Sequence, residues 1–302
     1  MSVKRKRKGR RRTRPLVRQG DYRTSRAVAR RTDLFTGQDG EQGITESEIR
    51  YVSGTTEGVL RVWADPRARL DAHALALFTV LCEKFVDRQA VKIQVGENTY
   101  WAVPATPREL ALAVYGRADG REYRYLGMTR DERHLGALQS LKITLIQAQS
   151  TWLSPDGKRQ TITEGFSLVD YYRWANDEDD GHEGKILIAL SGVIQRELVN
   201  AGHTVIPGDL MRRLGPKRDT ALRIAYHVLS QAPIFGGIRR IGVQSLVTVI
   251  APSPSRHPSN HHGMFLAYVR KLIGDIDKAD DRHRWRWEPG KHPLGNVVCE
   301  DR

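Results

Sequence analysis

Between residues 70 and 85 the apolar side chains return at steps of three and four. Leu70, Ala74, Leu77, Leu81 and Phe85 fall on one stripe, which predicts a helix. The period then changes to two. Val91, Ile93 and Val95 alternate with Lys92 and Gln94, Gly96-Glu97-Asn98 is turn chemistry, and residues 99–103 complete a predicted hairpin. In Thr106-Pro107-Arg108-Glu109 a capping hydroxyl, a proline at the first helical position and a glutamate three residues on mark a helix start. Its inner face is Leu110, Ala113 and Val114, and it stops at Gly116. Thr129-Arg130-Asp131-Glu132 repeats the capping box ahead of Leu135, Leu138 and Leu141. Residues 144–152, the turn Ser154-Pro155-Asp156-Gly157 and residues 160–174 predict a second hairpin.

The second half runs through a similar order. Residues 185–190 read as a strand, and Ser191 can cap a helix carrying Ile194, Leu198 and Val199. Residues 207–214 form a short helical piece. Residues 219–231 predict a helix with Leu222, Ala225, Tyr226 and Leu229 on one side. A short helix over 242–250 and a turn rich in Pro, Ser, Arg and His over 251–260 lead to a long helix over 261–279, with Phe265, Val269, Leu272 and Ile276 buried. Arg282-His283-Arg284-Trp285-Arg286-Trp287 then alternates basic and aromatic residues, as a wing strand would. A short helix, a turn, a longer helix and a two-stranded ribbon make the winged helix-turn-helix layout. The predicted fold class is therefore α+β: tandem winged helix-turn-helix domains preceded by a disordered basic N-terminal arm. The expected boundaries are 1–50 for the arm, 55–176 for the first domain, 177–184 for an acidic linker and 185–302 for the second domain.

Charge sharpens this picture. The first 32 residues hold 14 Lys/Arg against one acid, Asp21, so they carry +13 of the formal +14. Residues 1–50 are polar without sustained periodicity, which predicts disorder, with order beginning near Val59. A cationic arm that neutralises phosphates releases condensed counterions, so it points to nucleic acid. Residues 33–200 have 19 basic and 25 acidic side chains, whereas residues 201–302 have 16 and 9, which directs the duplex-binding face to the last third. Asp177-Glu178-Asp179-Asp180-Gly181-His182-Glu183-Gly184 lacks calcium-loop spacing and reads as a solvated linker that faces away from phosphate.

Other classes fall away. The two cysteines, Cys82 and Cys299, supply neither a disulfide framework nor a zinc site alone. No stretch is apolar enough to cross a bilayer, and no apolar segment follows the charged N-terminus, so the expectation is a soluble, cytoplasmic, nucleoid-associated protein without a membrane partner. In a eukaryote the arm could serve as a nuclear-import signal. No P-loop, Ser/His/Asp set, paired carboxylates or cofactor motif is present, so neither enzyme activity nor a metal or cofactor is expected.

The chain resembles the plasmid replication initiators (Rep family) with two winged-helix domains. The resemblance rests on Lys185-Ile186-Leu187-Ile188-Ala189-Leu190-Ser191, the helix ending near Asn200, and Arg218-Asp219-Thr220-Ala221-Leu222-Arg223-Ile224-Ala225-Tyr226, with Arg108-Glu109-Leu110-Ala111 and residues 135–141 in the first half. It covers about residues 60–290; the basic arm lies outside the shared pattern. It implies an initiator that binds double-stranded DNA at direct repeats of an origin, with the C-terminal domain reading sequence. It also implies that the N-terminal domain touches backbone or forms a homodimer, that an AT-rich segment is melted, and that a host replication initiator and helicase are recruited.

The candidate DNA-binding residues follow from the layout. His261 and His262 stand at the start of the long helix, where base contacts are made, and Arg270 and Lys271 lie off its apolar stripe, within reach of phosphate. Arg256 sits in the preceding turn. Arg284 and Arg286 share one face of the wing strand and Trp285 and Trp287 the other. Arg130, Arg133 and His134 flank the first-domain reader. Lys4, Arg5, Lys6, Arg7, Lys8, Arg10, Arg11, Arg12 and Arg14 form the non-specific arm, and Arg212, Arg213, Lys217 and Arg218 touch backbone or stay in water. A transcriptional regulator of the same fold is the alternative. A rolling-circle nicking protein would need a His-hydrophobic-His metal site, but His261 and His262 are adjacent, and Tyr268 falls inside the predicted helix.

Overall fold

The computed structural model describes residues 21–35, 45–53, 56–65, 67–118, 126, 135–154, 156, 158–175, 182, 184–200, 203–215, 218–234, 237–250 and 262–302. The basic arm residues from Lys4 to Arg14 lie outside the described residues, as do Arg130, Arg133, His134, Lys217, Arg256, His261 and the second capping box at Thr129.

The described residues begin with β1 (Tyr22–Ser25), α1 (Arg26–Arg30) and a 3-10 turn (Thr32–Phe35). This corrects the expectation of disorder up to residue 50. Among the arginines lie Val28, Ala29 and Phe35, all buried, and Ser25 caps α1 by accepting from the Val28 amide at 3.2 Å. The Arg23 guanidinium holds Glu83 at 2.6 Å and also pairs with Asp87. Order therefore starts well before Val59, and β2 (Thr45–Ser53) and β3 (Thr56–Ala64) precede the first long helix.

That helix, α2 (Ala72–Val86), starts where the Asp71 carboxylate accepts from the amides of His73 and Ala74. The apolar stripe is wider than its spacing suggested, because Ala72 and every residue from Ala74 to Cys82 are buried. β1 and the 3-10 turn cover one side of α2. Helices α3 (Pro107–Tyr115), α4 (Ala137–Ile143) and α5 (Gly192–Asn200) cover others. The capping box at Thr106 forms with both of its bonds, 2.9 and 3.1 Å. In α5 Ile194 and Leu198 are buried, but Val199 is 73% exposed.

Two four-stranded antiparallel sheets flank this helical layer. One has the order β2-β3-β6-β7, with β6 at Leu145–Leu153 and β7 at Arg159–Phe166. The other has the order β4-β5-β9-β8, from β4 (Val91–Val95), β5 (Asn98–Ala105), β8 (Val169–Trp174) and β9 (Ile186–Leu190). The predicted strand over 160–174 is thus two strands in two sheets, broken at Ser167 and Leu168. The acidic stretch joins β8 to β9, which pair with each other from Val169↔Leu190 to Trp174↔Ile186. It connects neighbours in one sheet rather than separating folded units. The proposed boundary therefore cuts through a sheet, and β10 (His203–Ile206) pairs back onto β1. One hydrophobic cluster runs from Val28 through α2 to Cys299.

The last third contains α6 (Gly208–Leu214), α7 (Asp219–Ser230), β11 (Arg239–Gly242), and a 3-10 turn (Val243–Leu246) continuing into α8 (Val247–Ile250). Then come α9 (His262–Ala279), β12 (His283–Glu288) and β13 (Asn296–Asp301). The three strands form an antiparallel sheet in the order β11-β13-β12. The last strand lies in the middle, so β11 is bound to the hairpin that follows α9.

Candidate nucleic-acid interface

α9 is amphipathic. Phe265, Val269, Leu272, Ile273, Ile276 and Ala279 are buried, Met264, Tyr268, Arg270, Lys271 and Lys278 are exposed away from that stripe, and His262 is exposed as the first residue of the helix. Met264 is 66% exposed and Tyr268 41%, large values for apolar and aromatic groups on an otherwise well-buried helix. Two glycines, Gly263 and Gly274, share this side with Ala267 and Arg270. A Cβ at either glycine would meet no atom within 4 Å, so packing inside the fold does not require them.

Two buried polar groups brace the elements next to α9. Arg223 of α7 is buried, is paired with Asp219 at 3.0 Å and donates to the carbonyl of Val249 at 2.7 Å. It thereby satisfies a carbonyl near the end of α8, ahead of the segment leading into α9. Burial pushes the Asp219 carboxyl up despite the adjacent guanidinium. At the other end, Asp280 accepts from the Arg282 and His283 amides, from His283 Nδ1 at 2.8 Å and from Trp285 Nε1 at 2.8 Å. Burial opposes ionisation of Asp280, but these donors win and hold the carboxyl below its usual range.

The alternation expected over residues 282–287 is present along β12. Trp285 is only 3% exposed, and Trp287 is half-buried on the same side. Arg284 is exposed on the other side. Arg286 shares that side but is not free: it pairs with Glu300 at 2.6 Å and with Glu288 at 2.7 Å. Arg240 of β11 joins the same lattice through Glu288 at 2.8 Å. The Glu300 carboxyl is held below its usual range chiefly by its bond to Arg286. The outer face of the sheet is thus three arginines interleaved with two glutamates, around the fully buried Val298.

The structure brings His262, Arg270, Lys271, Arg284 and Arg286 onto one helix and its following hairpin. Arg212 is paired with Asp209 within α6, Arg213 joins α6 to Asp281 just after α9, and Arg218 at the start of α7 pairs with Asp275 of α9. Sequence reasoning missed Arg240, and also Lys291 and His292 in the loop between β12 and β13. The turn residues Pro289, Gly290, Pro293 and Gly295 around the latter pair were the available signal.

The chain shares its fold with domains 2 and 3 of RctB: one crystal structure of these domains matches with a TM-score of 0.54 at 13% identity. That match covers 91% of this chain and 97% of the other. A second RctB structure, spanning its residues 155–483, matches at 0.52 and 11% identity over 90% of this chain and 97% of that one. No protein-family model matches the chain, and the search of curated proteins gives no match. The RctB likeness spans both halves of the chain.

Among the described residues no group of three or more His, Cys, Asp or Glu is placed to hold a metal ion. No helix there is long and apolar enough to cross a membrane. Cys82 and Cys299 are free and buried, and burial pushes both thiols up to about 12, so each packs as a small apolar side chain.

Proposed function

We propose that the chain is a replication initiator built on two winged-helix units, and that α9 with the β12–β13 hairpin reads duplex DNA at repeated sites of an origin. The observation that carries this reading is the strand order β11-β13-β12 wrapped behind an amphipathic helix whose solvent side bears Arg270 and Lys271. A helix enters the major groove only if its outer side is free, and here the free side is also the cationic one. In the first half, α3, α4 and the β6–β7 ribbon supply the second unit, with Arg130, Arg133 and His134 as backbone contacts. The Rep-family resemblance and the fold shared with RctB domains 2 and 3 support the same reading.

In this scheme the arm from Lys4 to Arg14 adds affinity without sequence preference, and Arg256 and His261 join His262 ahead of the reading helix. The first unit also mediates a homodimer. β7 bonds to β6 on one side only and is exposed from Arg159 to Gly165, and such an edge is a ready template for a second copy. The bound initiator opens an AT-rich tract and recruits a host initiator and helicase. It works by binding, without a catalytic step, a metal or a cofactor, on the nucleoid in the cytoplasm.

The test is autonomous replication. A plasmid whose only origin is the gene with its flanking DNA is expected to be maintained, and to be lost when Arg270 and Lys271 are both changed to Ala. Binding to flanking DNA that controls transcription without supporting maintenance would instead identify a winged-helix regulator.

A further inference from the structure

Trp287 touches both the reading helix and the wing loop. On one side its ring lies under Arg270, with the guanidinium carbon 4.1 Å from the ring centroid. On the other, its Nε1–H donates to the carbonyl of Leu294 at 2.9 Å. Gly295, at φ +72°, makes this approach possible: a Cβ there would meet two ring carbons of Trp287 at 2.7 Å and the carbonyl oxygen of Glu288 at 2.5 Å. The loop is further closed by the Gly295 amide on the carbonyl of His292 at 2.9 Å, and by the Val243 amide on the carbonyl of Gly295 at 3.0 Å. At its tip Lys291 and His292 are exposed. His292 Nδ1 accepts from the Leu294 amide at 3.2 Å, which leaves Nε2 as the outward donor.

We infer that Trp287 is a positioning residue that makes one phosphate clamp out of Arg270 on α9 and Lys291 and His292 on the wing loop, its ligand being the phosphodiester backbone of duplex DNA. Stacking removes rotamer freedom from Arg270 before binding, and the indole hydrogen bond does the same for the loop tip. Neither the reading helix nor the wing then has to order its cations on contact. This inference rests on the DNA-binding reading above.

The experiment uses the full chain and a duplex enriched by the unaltered protein from a random-sequence pool, titrated at several salt concentrations. Trp287→Phe keeps the ring under Arg270 and loses the bond to Leu294. Trp287→Leu loses both. Lys291→Ala in the unaltered chain is expected to lower the salt slope by roughly 1. In the Trp287→Phe background that loss should shrink while the cost of Arg270→Ala stays. In Trp287→Leu both should shrink, with affinity down by about tenfold. Undiminished effects of Lys291→Ala in Trp287→Phe overturn the inference, and this arm decides alone if Trp287→Leu does not fold. A chain that enriches no duplex overturns the DNA-binding reading itself.

Discussion

The carboxylate of Asp21 and the guanidinium of Arg282 form an ion pair across 261 positions of sequence. Asp21 is the first described residue and its side chain is fully buried, while Arg282 stands at the root of the β12–β13 hairpin. Asp21 is therefore fastened beside the β12–β13 hairpin of the proposed DNA reader. Arg282→Ala would leave a buried carboxylate without this partner, and we expect a loss of about 3 kcal/mol in urea unfolding, the low end for such pairs because Arg282 is partly exposed. An unchanged unfolding midpoint would show that the pair is incidental.

The same fastening decides where the arm ends. Deleting residues 1–20 is expected to weaken binding to specific and random duplexes alike, most at low salt, with thermal unfolding unchanged. Deleting residues 1–32 removes β1 and α1 with Val28 and Ala29, exposes one side of α2, and should lower the melting temperature markedly. Equal melting of the two truncations would count against a structural role for Tyr22–Ser25.

The hub at Asp280 gives a pH dependence with a definite sign. Its carboxyl titrates lower in the fold than an ordinary aspartate, so the carboxylate stabilises the fold above the usual aspartate range. This contribution is lost as the pH falls through the lower, folded value. Asp280→Ala leaves Trp285 Nε1 without its acceptor and should cost about 3 kcal/mol. The acid limb of the stability curve should also flatten below about pH 4. An unaltered acid limb in the variant would place the acid sensitivity elsewhere.

Local chemistry was legible in the sequence, and long-range pairing was not. Thr106 and Glu109 sit three residues apart and complete the same cap that their spacing predicts, because both partners lie in one turn. The apolar stripe of α9 is likewise a property of one helix. By contrast, β1 is four residues long and finds its partner at His203–Ile206, so no periodicity around Tyr22 reveals it. The acidic run looked like a linker because polarity shows that a segment is solvated, not that the strands on either side pair. Arg286 lies on the outer face of β12, as alternation along that strand predicts, but its two glutamate partners follow from tertiary contact and strand register, and Glu300 belongs to a strand absent from the predicted elements.

That lattice has a consequence for binding. Arg286 is held by Glu300 and Glu288, so a phosphate must compete with carboxylates already in place. Glu300→Gln keeps the shape and removes one competitor. We expect tighter duplex binding and a salt slope steeper by about 0.9, the increment for one added phosphate contact. Arg284→Ala with Arg286→Ala should do the reverse while thermal unfolding stays nearly constant. Weaker binding by Glu300→Gln would mean that the ion pair orients Arg286 for contact rather than restraining it.

The glycines of α9 offer the sharpest separation of stability from function. Gly274 lies four residues after Arg270, in the body of a helix, and nothing within 4 Å would oppose a methyl group there. Glycine at such a position costs about 0.5–1 kcal/mol relative to alanine, so Gly274→Ala should raise the stability of the free protein by that amount. If the Arg270 side of α9 meets DNA closely, the same methyl group enters the space the duplex needs, and affinity should fall even as the melting temperature rises. The two effects have opposite signs, so a folding defect cannot imitate the result. A variant that is more stable and binds the selected duplex as well as the unaltered chain would show that this side of α9 does not approach DNA closely at Gly274.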